Sequence, residues 1–302
     1  MTTFYTLGTT QIIRVSGDGR HDFLNRMTTN DLRSPAPGSV IPTLLTTEKG
    51  RVVDLIWHLE REDESWLVSS PGKAETIFQR LDQLLFPMDR ATLQLGIRPV
   101  RLILVIRELA NGDVSRWKSI PGGVSWPVTE WFNDGELVLI QDADLAGEVI
   151  DEEHLLAETD FQRLRLRQGV PLWGSELNGT YHVQELGLMW AVNFSKGCYP
   201  GQEVVARIYN YEKNQRRPAL VQWSGTAEPE LPAKVVCGDQ PGGIITSLVR
   251  TDTGYEGFGL LREVLVSEGR DLYLEAAEGL IPIRYKPFSP RHPKGLKNGA
   301  GS

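Results

Sequence analysis

The chain has 302 residues, 40% apolar and 24% charged, the balance of a globular protein with enough interior for two or three domains rather than a disordered chain. Its net charge of -7 argues against a surface built to neutralise a nucleic-acid backbone, whose binders draw their affinity from Lys and Arg. Two cysteines, Cys198 and Cys237, are too few for a disulfide framework, a four-thiolate cluster or a cysteine-only zinc site, so no metal centre is expected, and no run approaches the roughly 20 apolar residues of a membrane-crossing helix.

The opening residues show no basic stretch followed by an apolar run, so a cytoplasmic protein, off the membrane and monomeric, is expected. Gln11 to Ser16 reads as a strand. Gly17, Asp18 and Gly19 then turn the chain into a helix whose apolar side is Phe23, Leu24 and Met27, with Asp18 as its cap. From Arg51 to Glu60, Val53, Leu55, Trp57 and Leu59 alternate with Asp54, His58 and Glu60, which predicts a strand with one buried face, paired with Ser65 to Ser69. Ser70 and Pro71 supply a cap and first turn for a helix that carries Ile77, Phe78, Leu81, Leu84 and Leu85 at helical spacing and is expected to cover the sheet. Strands follow at Val100 to Ile106 and Glu136 to Ile140, then a helix around Asp160 to Gln168, closed by Gly169 and Pro171. Strands and helices mix without regular alternation, which predicts an α+β design.

After about Arg217 the pattern changes. Ala219 to Trp223, Lys234 to Cys237, Ile244 to Val249, Phe258 to Leu265, Leu272 to Glu275 and Ile281 to Tyr285 read as short strands separated by turn residues, with no helical stretch. Such a series is expected to close into a small barrel, which removes exposed sheet edges. The Pro-, Gly- and Lys-rich tail from Ser289 is expected to be mobile.

The chemistry-bearing passage is Ser195 to Arg207, SKGCYPGQEVVAR. Tyr199-Pro200-Gly201-Gln202 fits a tight turn with Pro second and Gly third, and a short helix is expected from Gln202 with Val204, Val205 and Ile208 on its apolar side. Cys198 then lies just ahead of a helix N-terminus and two residues from Lys196, and both features favour thiolate over thiol. A lone cysteine is commonly a small core residue, but two glycines, a proline, Lys196, Gln202 and Glu203 leave little apolar surface beside this one, so its sulfur is expected to be accessible.

Lys196-Gly197-Cys198-Tyr199-x-Gly201-Gln202-Glu203, followed by Ala206-Arg207, resembles the signature of the YgfZ family. Shorter matches are Val15-Ser16-Gly17-Asp18 with Phe23-Leu24 and Thr29-Asn30-Asp31, Arg165-x3-Gly169-Val170-Pro171, and Gly243-Ile244-Ile245-Thr246-Ser247 in the expected barrel. That family is similar to the aminomethyltransferase (T-protein) of glycine cleavage. The resemblance implies the GcvT/YgfZ-like folate-binding fold: a region over 1–212 of two interleaved α+β subdomains around a central folate site, a β-barrel over 213–288, and a flexible tail over 289–302.

The resemblance also implies tetrahydrofolate, or a one-carbon derivative, as cofactor. It places Glu185 at a pterin-binding glutamate and Asp54 near a strand carboxylate that contacts folate nitrogens, and it adds Arg165 and the motif members Tyr199, Gln202, Glu203 and Arg207 to the binding set. Many family members carry a glutamate two residues before the glycine of the Arg-x3-Gly stretch, where this chain has Arg167. Arg207, Tyr209, Tyr211, Lys213, Arg216 and Arg217 form a basic run with interleaved aromatics that suits a folate tail or, less well, RNA.

Three functions are consistent with these residues. The first is an accessory factor for iron-sulfur cluster assembly or repair, with Cys198 as the acting group, Lys196 as its activating cation, and assembly factors or client iron-sulfur enzymes as partners. The second is a folate-dependent one-carbon transferase in which a carboxylate such as Asp54 assists transfer. The third is a folate-regulated factor that meets protein or tRNA, although the acidic total charge disfavours nucleic acid.

Overall fold

Strands rich in apolar residues build two five-stranded antiparallel sheets in the first half of the chain. The computed structural model describes residues 2–107, 116–141, 151–211, 215–226, 228–277, 279–289 and 292. One sheet runs in the order β1 (Thr3–Thr10), β7 (Val100–Ile106), β10 (Gly135–Ile140), β9 (Gly123–Pro127) and β8 (Lys118–Ile120). The other runs β3 (Val40–Thr46), β4 (Val52–Glu60), β5 (Glu64–Val68), β2 (Ile13–Ser16) and β6 (Thr92–Leu95). Leu102, Leu104, Trp126, Leu137 and Leu139 of the first share one apolar cluster with Leu44, Leu55, Trp57, Leu59 and Val68 of the second, so the sheets bury facing sides. The far side of the second sheet, through Ile13, Val15, Ile56 and Leu67, is covered by α1 (Arg20–Met27) and α2 (Ala74–Asp82).

This double covering corrects two expectations. β4 has not one buried face but two, and Asp54, His58 and Glu60 are buried with the rest of it. Each therefore needs a partner to offset lost hydration. The helix expected to begin at Ser70 begins at Ala74 and ends at Asp82, leaving Leu84 and Leu85 beyond it, because Asp54 accepts the Ser70 N–H at 3.0 Å and its hydroxyl. Asp18 does not cap α1 either: Gly19 is at that position and no side chain bonds the first turn.

The second half closes into a six-stranded barrel, β11 (Arg216–Ser224), β14 (Gly254–Arg262), β13 (Gln240–Arg250), β12 (Ala233–Cys237), β15 (Leu272–Ala276) and β16 (Gly279–Pro287), around Ala219, Val221, Val235, Ile245, Leu261 and Leu274. A short helix, α5 (Glu263–Ser267), replaces the end of the strand expected to reach Leu265. The fold is α+β with a closed C-terminal β-barrel. Phe258 and Leu260 of β14 join the apolar cluster between the sheets. α3 (Glu158–Gln168), ended by Gly169 in the left-handed conformation at φ 71°, packs on β13 and β14. Two carboxylates fasten this junction. Arg167 meets Glu256 through two bonds of 2.9 Å, and the fully buried Glu176 accepts from Thr246, Ser247 and the Leu172 N–H. The tail over 289–302, apart from Ser289 and His292, lies outside the described residues. Among those residues no helix is long and apolar enough to cross a membrane.

Glu60 ties α1 to the second sheet. Its carboxylate accepts from Arg20 and His21, each at 2.9 Å, and from Ser65 at 2.6 Å, with His58 Nε2 3.2 Å away. Burial alone would raise its pKa, but hydrogen bonds from His58, Ser65, His21 and Arg20 outweigh burial and hold it at about 2. A depressed acid pKa contributes stability that is complete above the ordinary value of 4.5 and lost as pH falls towards 2. Unfolding measured across that window is expected to show wild type losing roughly 3 kcal/mol more than Glu60→Gln. Parallel acid limbs for the two proteins would exclude this account.

Candidate functional site

The loop before α4 (Gln202–Asn210) is held at three points. Gly201 has φ 82°, and a Cβ there would stand 2.4 Å from the Thr47 carbonyl and 2.6 Å from the Gly50 nitrogen, so only glycine lets the loop reach the β3–β4 hairpin. The Thr46 hydroxyl donates to the Pro200 carbonyl at 2.6 Å. Lys196 is buried and its ammonium donates to the carbonyls of Asn25 and Thr28 at the C-terminal end of α1, where unpaired carbonyls collect. Between these anchors Cys198 is exposed, whereas Cys237 is buried in the barrel. The expected turn, helix and accessible sulfur are thus all present.

Lys196 does not stand free beside that sulfur. Burial lowers its pKa to about 8, opposed by Asp31, while Cys198 is the last of the influences on it. The lysine is first a fastening of the loop, because an ammonium removed from water must be satisfied by nearby oxygens. Its side chain also lies 5.1 Å from the ring of Tyr199, which is buried and whose pKa burial pushes up.

Several of the residues expected to hold a cofactor are engaged by protein groups. Asp54 is committed to Ser70, and burial raises its pKa to about 6. Glu185 accepts from Arg216 at 2.6 Å and from the His182 N–H at 2.9 Å, and Arg216 lies over Tyr181. Arg165 is buried against Glu176 and the Val170 carbonyl. Gln202, Glu203 and Arg207 lie on α4, with Glu203 and Arg207 exposed. In the basic run, Arg216 and Arg217 pair with Glu185 and Glu263, Tyr209 packs on Phe194, and Lys213 lies outside the described residues.

The sequence reading missed the aromatic centre between the sheets. Trp57 has its ring centroid 6.4 Å from each of Trp126, Trp131 and Trp190. Two hollows adjoin this group. One is lined by Trp57, Trp131 and Trp173 with Ser70, Leu55 and Leu102, the other by Trp131 and Trp190 with Gly169, Leu186, Leu188 and Phe288. Cys198 and the expected binding residues line neither hollow, although Glu185 adjoins Leu186 and Asp54 fixes Ser70. The signal available in the sequence was its eight tryptophans.

The walls carry the rings of a flat-ligand site, and two of their indoles, Trp131 and Trp190, have N–H groups buried without a hydrogen-bond partner. The space does not suit such a ligand. Each hollow measures about 20 Å³, room for about one water, against the roughly 300 Å³ or more of a ligand site. A pterin does not fit between the sheets in this conformation.

No family model matches the chain. It is 26% identical over 293 residues to a chloroplastic protein of Arabidopsis thaliana that carries the name of a transferase, covering 89% of this chain and 67% of the relative. A tRNA-modifying protein YgfZ from Klebsiella pneumoniae is 36% identical over 105 residues, 32% of each chain. A mitochondrial iron-sulfur cluster assembly factor IBA57 homolog of Neurospora crassa is 24% identical over 249 residues, 74% of this chain and 54% of that one. The aminomethyltransferase T of the Bartonella henselae glycine cleavage system superposes with a TM-score of 0.77 at 15% identity, covering 93% of this chain and 84% of that one.

The loop geometry has two measurable consequences. Gly201→Ala is expected to cost about 2–4 kcal/mol in urea unfolding, from strain at positive φ plus the clash with Thr47, while Gly197→Ala, whose Cβ meets open space, costs under about 0.5 kcal/mol. Under native conditions a thiol reagent should consume one equivalent rapidly, from Cys198, and a second slowly. Equal rates for both thiols, or a fast phase that survives Cys198→Ser, would contradict the assigned exposures.

Proposed function

We propose that this chain, which resembles a YgfZ protein over 32% of its length and shares the fold of an aminomethyltransferase, is a folate-binding accessory factor for the assembly or repair of iron-sulfur clusters in other proteins, acting through Cys198. The observation that carries the reading is the contrast between its two cysteines: one is sealed in the barrel, and the other is presented on a loop clamped by Lys196, Gly201 and Pro200. Among the described residues no group of three or more His, Cys, Asp or Glu is placed to hold a metal ion. Cys198 therefore supplies one sulfur ligand, or one nucleophilic thiol, and the remaining ligands of a cluster come from the partner that carries it.

The chain's own residues do two things in this scheme. The buried lysine and the Gly201 contact keep the sulfur at a fixed height above α1 and the β3–β4 hairpin, which lowers the ordering cost when a partner docks. In this reading the cluster is cargo, with its other ligands supplied by the partner that carries it. No step of the thiol chemistry is routed through folate, whose binding requires the central hollows to widen.

Two other readings are less well supported. Transfer of a one-carbon unit with help from Asp54 needs that carboxylate free, yet Ser70 holds both of its oxygens. A tRNA surface needs unpaired cations, and Arg216 and Arg217 of the basic run already face carboxylates.

In cells lacking the protein, wild type is expected to restore the activity of cluster-dependent enzymes and Cys198→Ala is not, while calorimetry gives the same tetrahydrofolate affinity for both. Rescue by a folded Cys198→Ala protein rejects the thiol role. A variant that loses its fold or its folate instead makes Cys198 a packing residue.

A further inference from the structure

The two sheets of the first half have four outer strands, and three of them are closed off or short. Thr29 lies along β3, its N–H donating to the Leu44 carbonyl at 3.1 Å and its hydroxyl accepting the Leu44 N–H at 2.9 Å. The Leu156 N–H donates to the Phe4 carbonyl of β1 at 2.8 Å, and β8 has only three residues. The fourth, β6, is different: among the described residues it pairs with β2, and no backbone group bonds its other side. Its sequence, Thr92-Leu93-Gln94-Leu95, has neither the charge nor the proline that usually keeps a bare edge from pairing. The strand is also held in place. The Gly96 N–H donates to the Ile12 carbonyl at 2.8 Å, and the Gln11 side chain donates to the Gly96 carbonyl at 2.7 Å.

An open groove of about 680 Å³ runs beside this edge, lined by Ile12, Arg14, Gln94, Leu95, Ile97 and Arg98 among others. Among the described residues no carboxylate lines it, so the charge of its two arginines is unopposed within the groove. The Arg14 guanidinium is 5.9 Å from the centroid of the Trp66 ring, which gives it a wall to rest on. The ladder sets Arg14 opposite Gln94 and Ile13 opposite Leu95. Arg14 and Gln94 therefore share one face of the sheet, while Leu95 is on the other with Leu93, which is buried with Ile77 and Leu81 of α2. Ile97, just past the strand, is 96% exposed, an apolar side chain that a bound partner would bury.

We propose that β6 and its groove dock an extended acidic segment of a partner protein, which adds a sixth strand to the second sheet. The segment's backbone pairs with the bare edge. Its side chains alternate, acidic ones towards Arg14 and Arg98 and apolar ones on the Leu95 side. Charge selects this occupant. A second copy joined edge to edge would gather four arginines about one axis with no groove carboxylate between them, and a nucleic acid has no strand to add and is disfavoured by the net charge of -7. The surface is independent of the thiol and folate readings. β3, whose hairpin carries the Cys198 loop, is the opposite edge of the same five-stranded sheet, roughly 19 Å away at four strand spacings, so a partner on β6 leaves the sulfur uncovered.

The probe is a fluorescent octapeptide alternating glutamate and valine, titrated by anisotropy against the whole chain at low salt. It is compared with a lysine–valine octapeptide and with its own fully N-methylated form, which cannot donate to a ladder. Wild type is expected to bind the glutamate peptide at least about tenfold more tightly than either comparison, and amide exchange in β6 should slow on binding. The double variant Arg14→Glu, Arg98→Glu should reverse the order of the two charged peptides. Lys234→Glu with Arg270→Glu, the same charge change at exposed positions of the barrel, should behave as wild type. Should the groove variant fail to melt cooperatively, the three peptides on wild type decide. No binding of the glutamate peptide, equal binding of the charged pair, an order that the folded groove variant leaves unreversed, or undiminished binding of the N-methylated form overturns the proposal. A wild-type dimer in sedimentation that Ile97→Asp abolishes assigns the edge to a second copy and overturns it as well.

Discussion

The structure hangs on the burial of β4 on both faces. A strand covered by a second sheet on one side and by two helices on the other must satisfy the carboxylates it carries, and the bonds that Asp54 and Glu60 make organise the rest of the first half. Asp54 holds Ser70 and so fixes where the chain leaves β5 for α2. Glu60 gathers Arg20, His21 and Ser65, setting α1 against the sheet. Trp57, on the opposite face, is the ring around which three other indoles are arranged. The hairpin that joins β4 to β3 is the surface on which Gly201 rests.

Through that hairpin the same strand reaches both candidate sites. The thiol loop is clamped where β3 turns into β4, and its lysine closes the end of α1, a helix that Glu60 has already fixed to β4. One of the central hollows lies farther along the strand, at Leu55 and Trp57. The exposed sulfur and the aromatic centre are therefore separate places on one rigid element. A ligand entering between the sheets would press on Trp57 and its neighbours, and the loop that presents Cys198 is braced against the same strand.

The interior between the sheets departs from ordinary packing. Cores usually leave few holes and few unmade hydrogen bonds. Here two hollows and the unpartnered indole N–H groups of Trp131 and Trp190 occur together at the meeting of both sheets and the barrel. Carboxylates at the same junction, Glu176 and Glu256, are by contrast fully occupied in joining the barrel to the helix before it.

The sequence by itself determined the elements and the local chemistry of the thiol loop. Alternation over Arg51 to Glu60 marked one strand and a strand-like run marked another at Val100 to Ile106, the six barrel segments announced themselves by turn residues, and Pro200-Gly201 dictated a turn whose third residue takes positive φ, because these are properties of the chain over a few residues. It did not determine which groups would be free. That Asp54 serves Ser70, that Glu185 serves Arg216, that Lys196 closes α1, and that tryptophans far apart in sequence share one centre were decided by tertiary packing. The physical reason is that burial removes the alternative of water: a side chain's role then depends on which donor, acceptor or ring the fold brings within reach, and that neighbour is rarely near it in the sequence.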